Sequence, residues 1–264
     1  MKTPNGVKKR SAFSILKDLR MVSFLSFIVF ILIWEIATTC GLIQPLFLPS
    51  PTSIIKRAIH MYSYNDFWPH IFASTRRVLA GFALAGAVAV PLGILLGSSR
   101  FLKAVVDPLL SFLRPLPSMS WIPLSLLWLG ITEAQKYSIV FMGSLAPTIL
   151  YTIEATRSID PVLIRAARNL GAKNYAIMRE VILPGALPII ISGLKVMLGI
   201  AWTCVISAEL VAADEGLGFL IMNGKEYFRT DQVLLGMALI SLTVIIIDVV
   251  FRQFEKRLIP WVEE

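Results

Sequence analysis

Residues 165–188, RAARNLGAKNYAIMREVILPGALP, form a polar, basic island between two strongly apolar segments. Arg165 is followed by Ala166 and Ala167, then by Asn169, Leu170 and Gly171, and the pair Leu183-Pro184 comes after a further gap. The stretch reads as two short helices joined at Gly171. Asp160 can cap the first, with Pro161 at its first position, because an Asp oxygen satisfies an orphan N–H and the fixed φ of proline suits that site. Ala166 and Ala167 give it a small-sided face that another protein can approach closely. Gly171 suits a C-terminal cap with positive φ, and Pro184 marks the return to the apolar chain.

The composition around the island excludes a soluble protein. Of the 264 residues, 56% are hydrophobic and 16% charged, with a mean hydropathy of +0.74. The charges cluster between long uncharged runs, as the cost of ionisable groups in hydrocarbon requires. The net charge of +8 reads as membrane-type loop charge. Nothing interleaves bases with exposed aromatics, so nucleic acid is not an expected partner and the lipid bilayer is. The first apolar segment is long and lacks a following small-residue cleavage site, which favours a signal anchor. Cys40 and Cys204 lie in different apolar segments and form no motif.

Six spans follow from the hydropathy. The first runs from Met21 to about Thr39, near the ~20 residues that cross ~30 Å of hydrocarbon. The prolines of 44–51 then break the chain, a helix over Thr52–Tyr62 lies along the interface, and Trp68 joins an interfacial aromatic group. The second span covers Arg77 to Gly97 and contains Gly81, Gly86, Gly93 and Gly97, the last two as a GxxxG that permits close packing. The third starts near Val105 and meets Arg114-Pro115-Leu116-Pro117-Ser118-Met119-Ser120-Trp121-Ile122-Pro123. Those prolines forbid a continuous helix, and broken backbone at membrane depth is tolerated only inside protein or along an aqueous cavity. The fourth, fifth and sixth spans are expected near 137–153, 188–211 and 232–250, with a polar loop over 212–231.

Six spans put both termini on one side. Placing that side in the cytoplasm leaves 16 of the 25 basic residues inside: six in the tail, two over 98–103, five over 157–179 and three at the C-terminus. Seven lie outside, and Arg114 and Lys195 fall within spans. The asymmetry makes the island cytoplasmic.

The island resembles the EAA loop of bacterial ABC importer permeases, whose pattern is E-A-A, three residues, G, nine residues, I, one residue, L-P. Ala166, Ala167, Gly171, Leu183 and Pro184 fit, Val181 replaces the isoleucine, and Arg165 stands where the acidic residue belongs. Leu48-Pro49-Ser50-Pro51, residues 77–82, Pro91-Leu92-Gly93, Arg114-Pro115-Leu116-Pro117, residues 121–124 and residues 216–219 are similar to one subfamily, the nitrate/sulfonate/taurine/bicarbonate permeases. The resemblance covers nearly the whole chain after residue 20. It implies an all-α polytopic membrane protein of the type I ABC importer (MetI-like) fold, with six transmembrane helices and cytoplasmic termini. The implied organisation is a cytoplasmic basic tail over 1–20 and a transmembrane domain over 21–264. That domain has a core at about 71–255 and a coupling loop at 157–187. A second copy of the chain, two cytoplasmic ABC ATPase subunits and an extracytoplasmic solute-binding protein are the implied partners, in the bacterial inner membrane. Arg165, Ala166, Ala167, Asn169, Leu170, Gly171, Leu183 and Pro184 form the implied ATPase contact. The chain has no phosphate-binding G-x-x-x-x-G-K-[ST] loop, since Gly224-Lys225-Glu226 lacks its first glycine and its hydroxyl. No cofactor is expected in this chain; ATP and magnesium belong to the partner ATPase.

The pathway is expected at the broken third span. Ser118, Ser120 and freed backbone N–H groups could bind an oxyanion, and Met119 and Trp121 could form a constriction. Trp121 suits an interfacial or packing role nearly as well. Arg114 could attract an anion or contact the polar loop. Glu209, at the far end of the fifth span, suits a gate or an ion pair with Arg76 or Arg77, or else a headgroup-level position. Glu35 is expected to pair with a loop, and Lys195 to snorkel toward the cytoplasm. Neither His60 nor His70 has a neighbour at metal-ligand spacing.

Three functions compete. An ATP-driven importer of a small oxyanion, with an organic sulfonate preferred over nitrate or bicarbonate, explains the island. An ion-coupled secondary transporter calls for an internal repeat or more spans, and neither is found. A membrane enzyme calls for a catalytic constellation, which is absent from the sequence.

Overall fold

A computed structural model describes residues 12–64 and 66–260. The basic tail assigned to 1–20 lies outside the described residues up to residue 11. In chain order the helices are α1 Ala12–Thr39, α2 Pro51–Ser63, α3 Phe67–Ser98, α4 Arg100–Leu113, α5 Ile122–Leu129, α6 Glu133–Arg157, α7 Pro161–Asn169, α8 Asn174–Ile177, α9 Leu183–Ala212, α10 Leu217–Glu226 and α11 Thr230–Leu258. A 3₁₀ turn at Ser118–Trp121 precedes α5, and a π turn at Met178–Ile182 joins α8 to α9. No strand occurs among the described residues. Four helical stretches are long and apolar enough to cross a membrane: Phe67–Ser98, Glu133–Arg157, Asn174–Ala212 and Thr230–Leu258. Phe24–Thr39 and Ser118–Leu129 are shorter apolar helices.

The pairing of α3 with α6 is the most extensive in the fold, and its cause is a small-residue stripe. A Cβ on Gly81 would stand 2.6 Å from Val140 Cβ, and one on Gly97 would stand 2.6 Å from Thr156 Cβ; Gly93 meets Thr152 in the same way. All three pairs are 59 positions apart, so the helices run parallel and in register. The offset sets Ala85 and Ala89, both fully buried, opposite Ser144 and Thr148. Thr152 and Thr156 donate back to the carbonyls of Thr148 and Thr152, both at 2.8 Å, so these hydroxyls stay satisfied away from water. Gly86 lies off this stripe and faces Leu194. Against the α3–α6 pair α9 runs antiparallel, bringing Cys204 to Gly143 and Gly193 to Tyr151. Trp202, Val205, Leu217, Leu220, Leu235 and Leu239 extend the core toward α10 and α11.

Several expectations are corrected. The second span starts at Phe67, ten residues before Arg77, so Trp68 belongs to its first turn. The polar loop expected over 212–231 contains α10, because Leu217 and Leu220 bury an apolar face in the core. The second half of the island is no separate short helix. Its helical path runs from Asn174 through Pro184 and Pro188 to Ala212. Pro184 cannot donate to the carbonyl four residues back, and the π turn immediately before α9 accommodates that break in the ladder. Lys195 has a partner that the sequence did not point to: its Nζ lies 3.6 Å from Asp248 Oδ1 on α11, and Asp248 also accepts from Arg252 at 2.8 Å. Glu35 does bind a loop-side partner, accepting from the N–H and hydroxyl of Thr52 at the start of α2.

Candidate functional site

Three places carry the polar chemistry. The first is the island. Asp160 Oδ1 accepts from the Val162 N–H at 2.8 Å, and Pro161 opens α7, as a helix start with a carboxylate cap requires. At the other end the Gly171 N–H donates to Arg168 O at 2.9 Å and the Ala172 N–H to Ala167 O at 3.0 Å. That pair of bonds is the Schellman closure, and it sets Gly171 at φ +83°. A side chain there would meet no atom within 4 Å, so glycine is required by the backbone angle alone. Arg165, Ala166, Asn169 and Leu170 are exposed, Ala167 is half-buried, and Ile164 and Ile177 turn inward. Leu183 and Pro184 sit at the start of α9, just past the π turn. The island is thus a capped helix and a tight turn that lead into a membrane-length helix.

The second place is the broken segment. After α4, Leu116 N–H closes on Leu113 O and Ser120 N–H on Pro117 O, which satisfies part of the backbone that three prolines disrupt. Ser118 packs against Gly143, at one of the close approaches of α6 and α9; a Cβ on Gly143 would stand 2.8 Å from Ser118 Cβ. Met119 and Ser120 are exposed and Trp121 is half-buried. Arg114 and Trp121 border a small cavity of about 40 Å3 against Gly143 and Pro147. Arg114, Ser118, Met119, Ser120 and Trp121 are therefore one local group.

Glu209 is not part of that group. Its carboxylate is buried at the end of α3, α6 and α9 opposite to the island. It accepts from Ser74 Oγ on both oxygens at 2.8 Å, from Arg77 Nη1 at 2.9 Å and from the Gly218 N–H at 2.8 Å. Arg77, only 1% exposed, also forks onto Glu133 through Nε at 2.9 Å and Nη2 at 2.5 Å, and donates to Glu215 O at 2.6 Å. Arg76 and Lys136 flank Glu133 at 3.1 and 3.5 Å. Ser74 in turn accepts from the Leu217 N–H, and His70 Nδ1 from the Gly216 N–H. Gly216 and Gly218 leave no room for side chains against Glu209. The ion-pair alternative for Glu209 is thus the one observed, with Arg77; among the described residues Arg76 pairs with Glu133. A buried charge is tolerable when paired and fully hydrogen-bonded, and this one is. Sequence reasoning missed Ser74 and Glu133. The Gly216-Leu217-Gly218 run was the available signal, since glycines crowd where backbone must approach a carboxylate. No group of three metal-ligating residues occurs among the described residues.

Comparison with known proteins adds a family and a fold. The model of the family described as "Binding-protein-dependent transport system inner membrane component" matches residues 89–263. The chain is 34% identical over 238 residues to the taurine transport system permease protein TauC of Escherichia coli strain K12, covering 88% of this chain and 86% of that protein. It is 32% identical to the putative aliphatic sulfonates transport permease protein SsuC of the same organism, covering 87% of each. With the bicarbonate transport system permease protein CmpB of Synechococcus elongatus it shares 30%, over 83% of this chain and 82% of that one. Among solved structures, an inward-facing MetNI methionine ABC transporter superposes with a TM-score of 0.62 at 20% identity. The match covers 75% of this chain and 98% of that one, and it speaks for the fold.

Proposed function

Since the chain belongs to the family of binding-protein-dependent transport system inner membrane components, as a multi-pass ABC importer permease of the taurine/sulfonate/bicarbonate type, we propose that it is the transmembrane subunit of an ATP-driven importer moving a small oxyanion by alternating access. Organic sulfonates are the preferred cargo, in keeping with the taurine and sulfonate relatives. Six spans, made of the four long helices with α1 and the broken α4–α5 segment, would place both termini and the island in the cytoplasm. The working unit would be two copies of the chain above two ATPase subunits, with an extracytoplasmic binding protein delivering the solute. ATP and magnesium would bind only to the ATPase subunits.

The observation that carries this reading is the island's construction. A capped, exposed α7 ends in a Schellman turn and continues through α8 and the π turn into α9, so a push on α7 is transmitted to a membrane-length helix. Arg165, Ala166, Ala167, Asn169, Leu170 and Gly171 form the surface offered to the ATPase, and Leu183-Pro184 the joint behind it. Arg165 replaces the acidic residue of the family pattern, so any ion pair at that point must be rebuilt on the ATPase side. Arg114, Ser118, Met119, Ser120 and Trp121 would line the passage. Glu209, held by Arg77, would close the outer end rather than touch the cargo.

The test is reconstitution with the ATPase and binding protein in vesicles. The complex should import labelled taurine or another sulfonate only with ATP, and Gly171→Pro should leave the permease inserted while abolishing coupled import. Import by the chain alone, without an ATPase, would refute the reading.

A further inference from the structure

At the end of the bundle that carries α7, a cavity of about 520 Å3 opens between the ends of α3 and α6, the start of α4, α7 and the α8–π segment. Three arginines line it from three different helices. Arg100 opens α4, Arg157 closes α6 and Arg168 lies in the last turn of α7. No Asp or Glu lines the cavity, and no carboxylate pairs with any of the three among the described residues. Arg157 donates through Nε to the Gly97 carbonyl at 3.3 Å, which fixes that side chain at the cavity edge and leaves its charge uncompensated. Elsewhere the chain pairs arginines that converge on one spot: Arg76 and Arg77 share Glu133.

Guanidinium groups around one cavity repel one another, and an anion placed between them turns that repulsion into attraction. Their planar forks match pairs of oxygens on phosphate-like groups. Asn174 adds a neutral side chain to the same lining. The volume falls in the range of small-ligand sites, about 300–1,000 Å3, which exceeds a bare ion and leaves room for a substituent.

We propose that this cavity binds a tetrahedral oxyanion group, phosphate or sulfonate in class, and that its occupancy ties α7 to the start of α4 and the end of α6. The tie follows from the positions of the ligands: Arg168 moves with α7, whereas Arg157 and Arg100 belong to the membrane helices. An occupied cavity therefore sets the angle of α7 and, through it, the readiness of the island to move. A free organic oxyanion and a phospholipid headgroup both supply the chemistry. Binding rests on the cavity alone, while the effect on coupling rests on the importer reading above.

The experiment uses the purified permease in nanodiscs and reads its thermal unfolding midpoint. In neutral phosphatidylcholine discs, inorganic phosphate should raise the midpoint saturably where chloride at matched ionic strength does not. Arg168→Gln, and the Arg100→Gln/Arg157→Gln pair, should weaken half-saturation by about ten-fold or more, as loss of a charge-assisted fork implies. Arg179→Gln, outside the lining, should not. If a lipid is the source, free phosphate leaves the midpoint unchanged and phosphatidylglycerol discs raise it, with the same dependence on the variants. Should the double variant fail to insert, Arg168→Gln on the exposed α7 alone carries the comparison. Equal responses of wild type and Arg168→Gln to both phosphate and phosphatidylglycerol, or no response to either, overturn the site. ATPase activity of the assembled importer, measured with the same additions, then tests the tie. Activity that ignores an anion shown to bind removes the coupling claim and leaves the site; a chain that engages no ATPase removes the importer reading instead.

Discussion

At one end of the bundle Arg77 is 1% exposed and Glu209 accepts hydrogen bonds from a hydroxyl, a guanidinium and a backbone N–H. At the other end Leu170 and Tyr175 are 89% and 74% exposed, and α7 is closed at both ends by its own caps. The first end joins Ser74 and Arg77 to Glu209 across more than 130 positions; the second is finished by bonds that reach two to five residues along the chain. The contrast separates two ways of making a rigid part. The Arg77–Glu209 network completes itself inside the chain. The α7 end has a fixed local shape and a large unfinished surface, as a part that works against a partner needs.

The strongest way to break this contrast is to remove the buried carboxylate. Glu209→Ala leaves Arg77 with Glu133 and the Glu215 carbonyl but takes the acceptor from Ser74 and the Gly218 N–H, and loss of one partner of a buried pair typically costs about 3–5 kcal/mol. The unfolding midpoint of the purified permease should fall steeply, with Glu209→Gln intermediate. An unchanged midpoint would mean that the network is not what closes this end.

Next in size is Gly93→Val, which tests whether the α3–α6 pair is the common frame for both ends. The added side chain meets Thr152 with backbone close behind it, and overpacking of this kind costs about 1–3 kcal/mol. Stability and transport should fall together. A tolerated Gly93→Val would show that the helices can slide and that the register is less firmly set than the 59-residue offset suggests.

The smallest effect on stability, and the one that sharpens the contrast most, is Asp160→Ala. Loss of an N-cap costs about 1 kcal/mol, and here the cost falls on α7 alone. The unfolding midpoint should hardly move while coupled import falls, and hydrogen exchange should rise over 161–169 only. A global loss of protection would contradict the local construction of the island.

Much of this protein was legible from short-range patterns. Asp160, Pro161 and Gly171 announced a capped helix and its turn because each acts on backbone groups within a few residues. The prolines between Arg114 and Pro123 announced the broken segment for the same reason, and the apolar runs located the long helices. The helix ends were less legible: α3 begins ten residues before Arg77, because helical hydrogen bonding continues past the apolar window. Helix α10 was hidden because its burial depends on α9 and α11, which its own sequence does not contain.

The sequence by itself therefore determined a membrane-embedded helical chain, the place of its island and the residue types available at the break. Only the tertiary structure decided which charges meet. It gave Glu209 to Arg77 and Ser74, Lys195 to Asp248, and Gly93 to Thr152. It also brought Arg100, Arg157 and Arg168 around one cavity. Capping and backbone angles are settled by neighbours along the chain, whereas a buried ion pair depends on where distant helices come to rest.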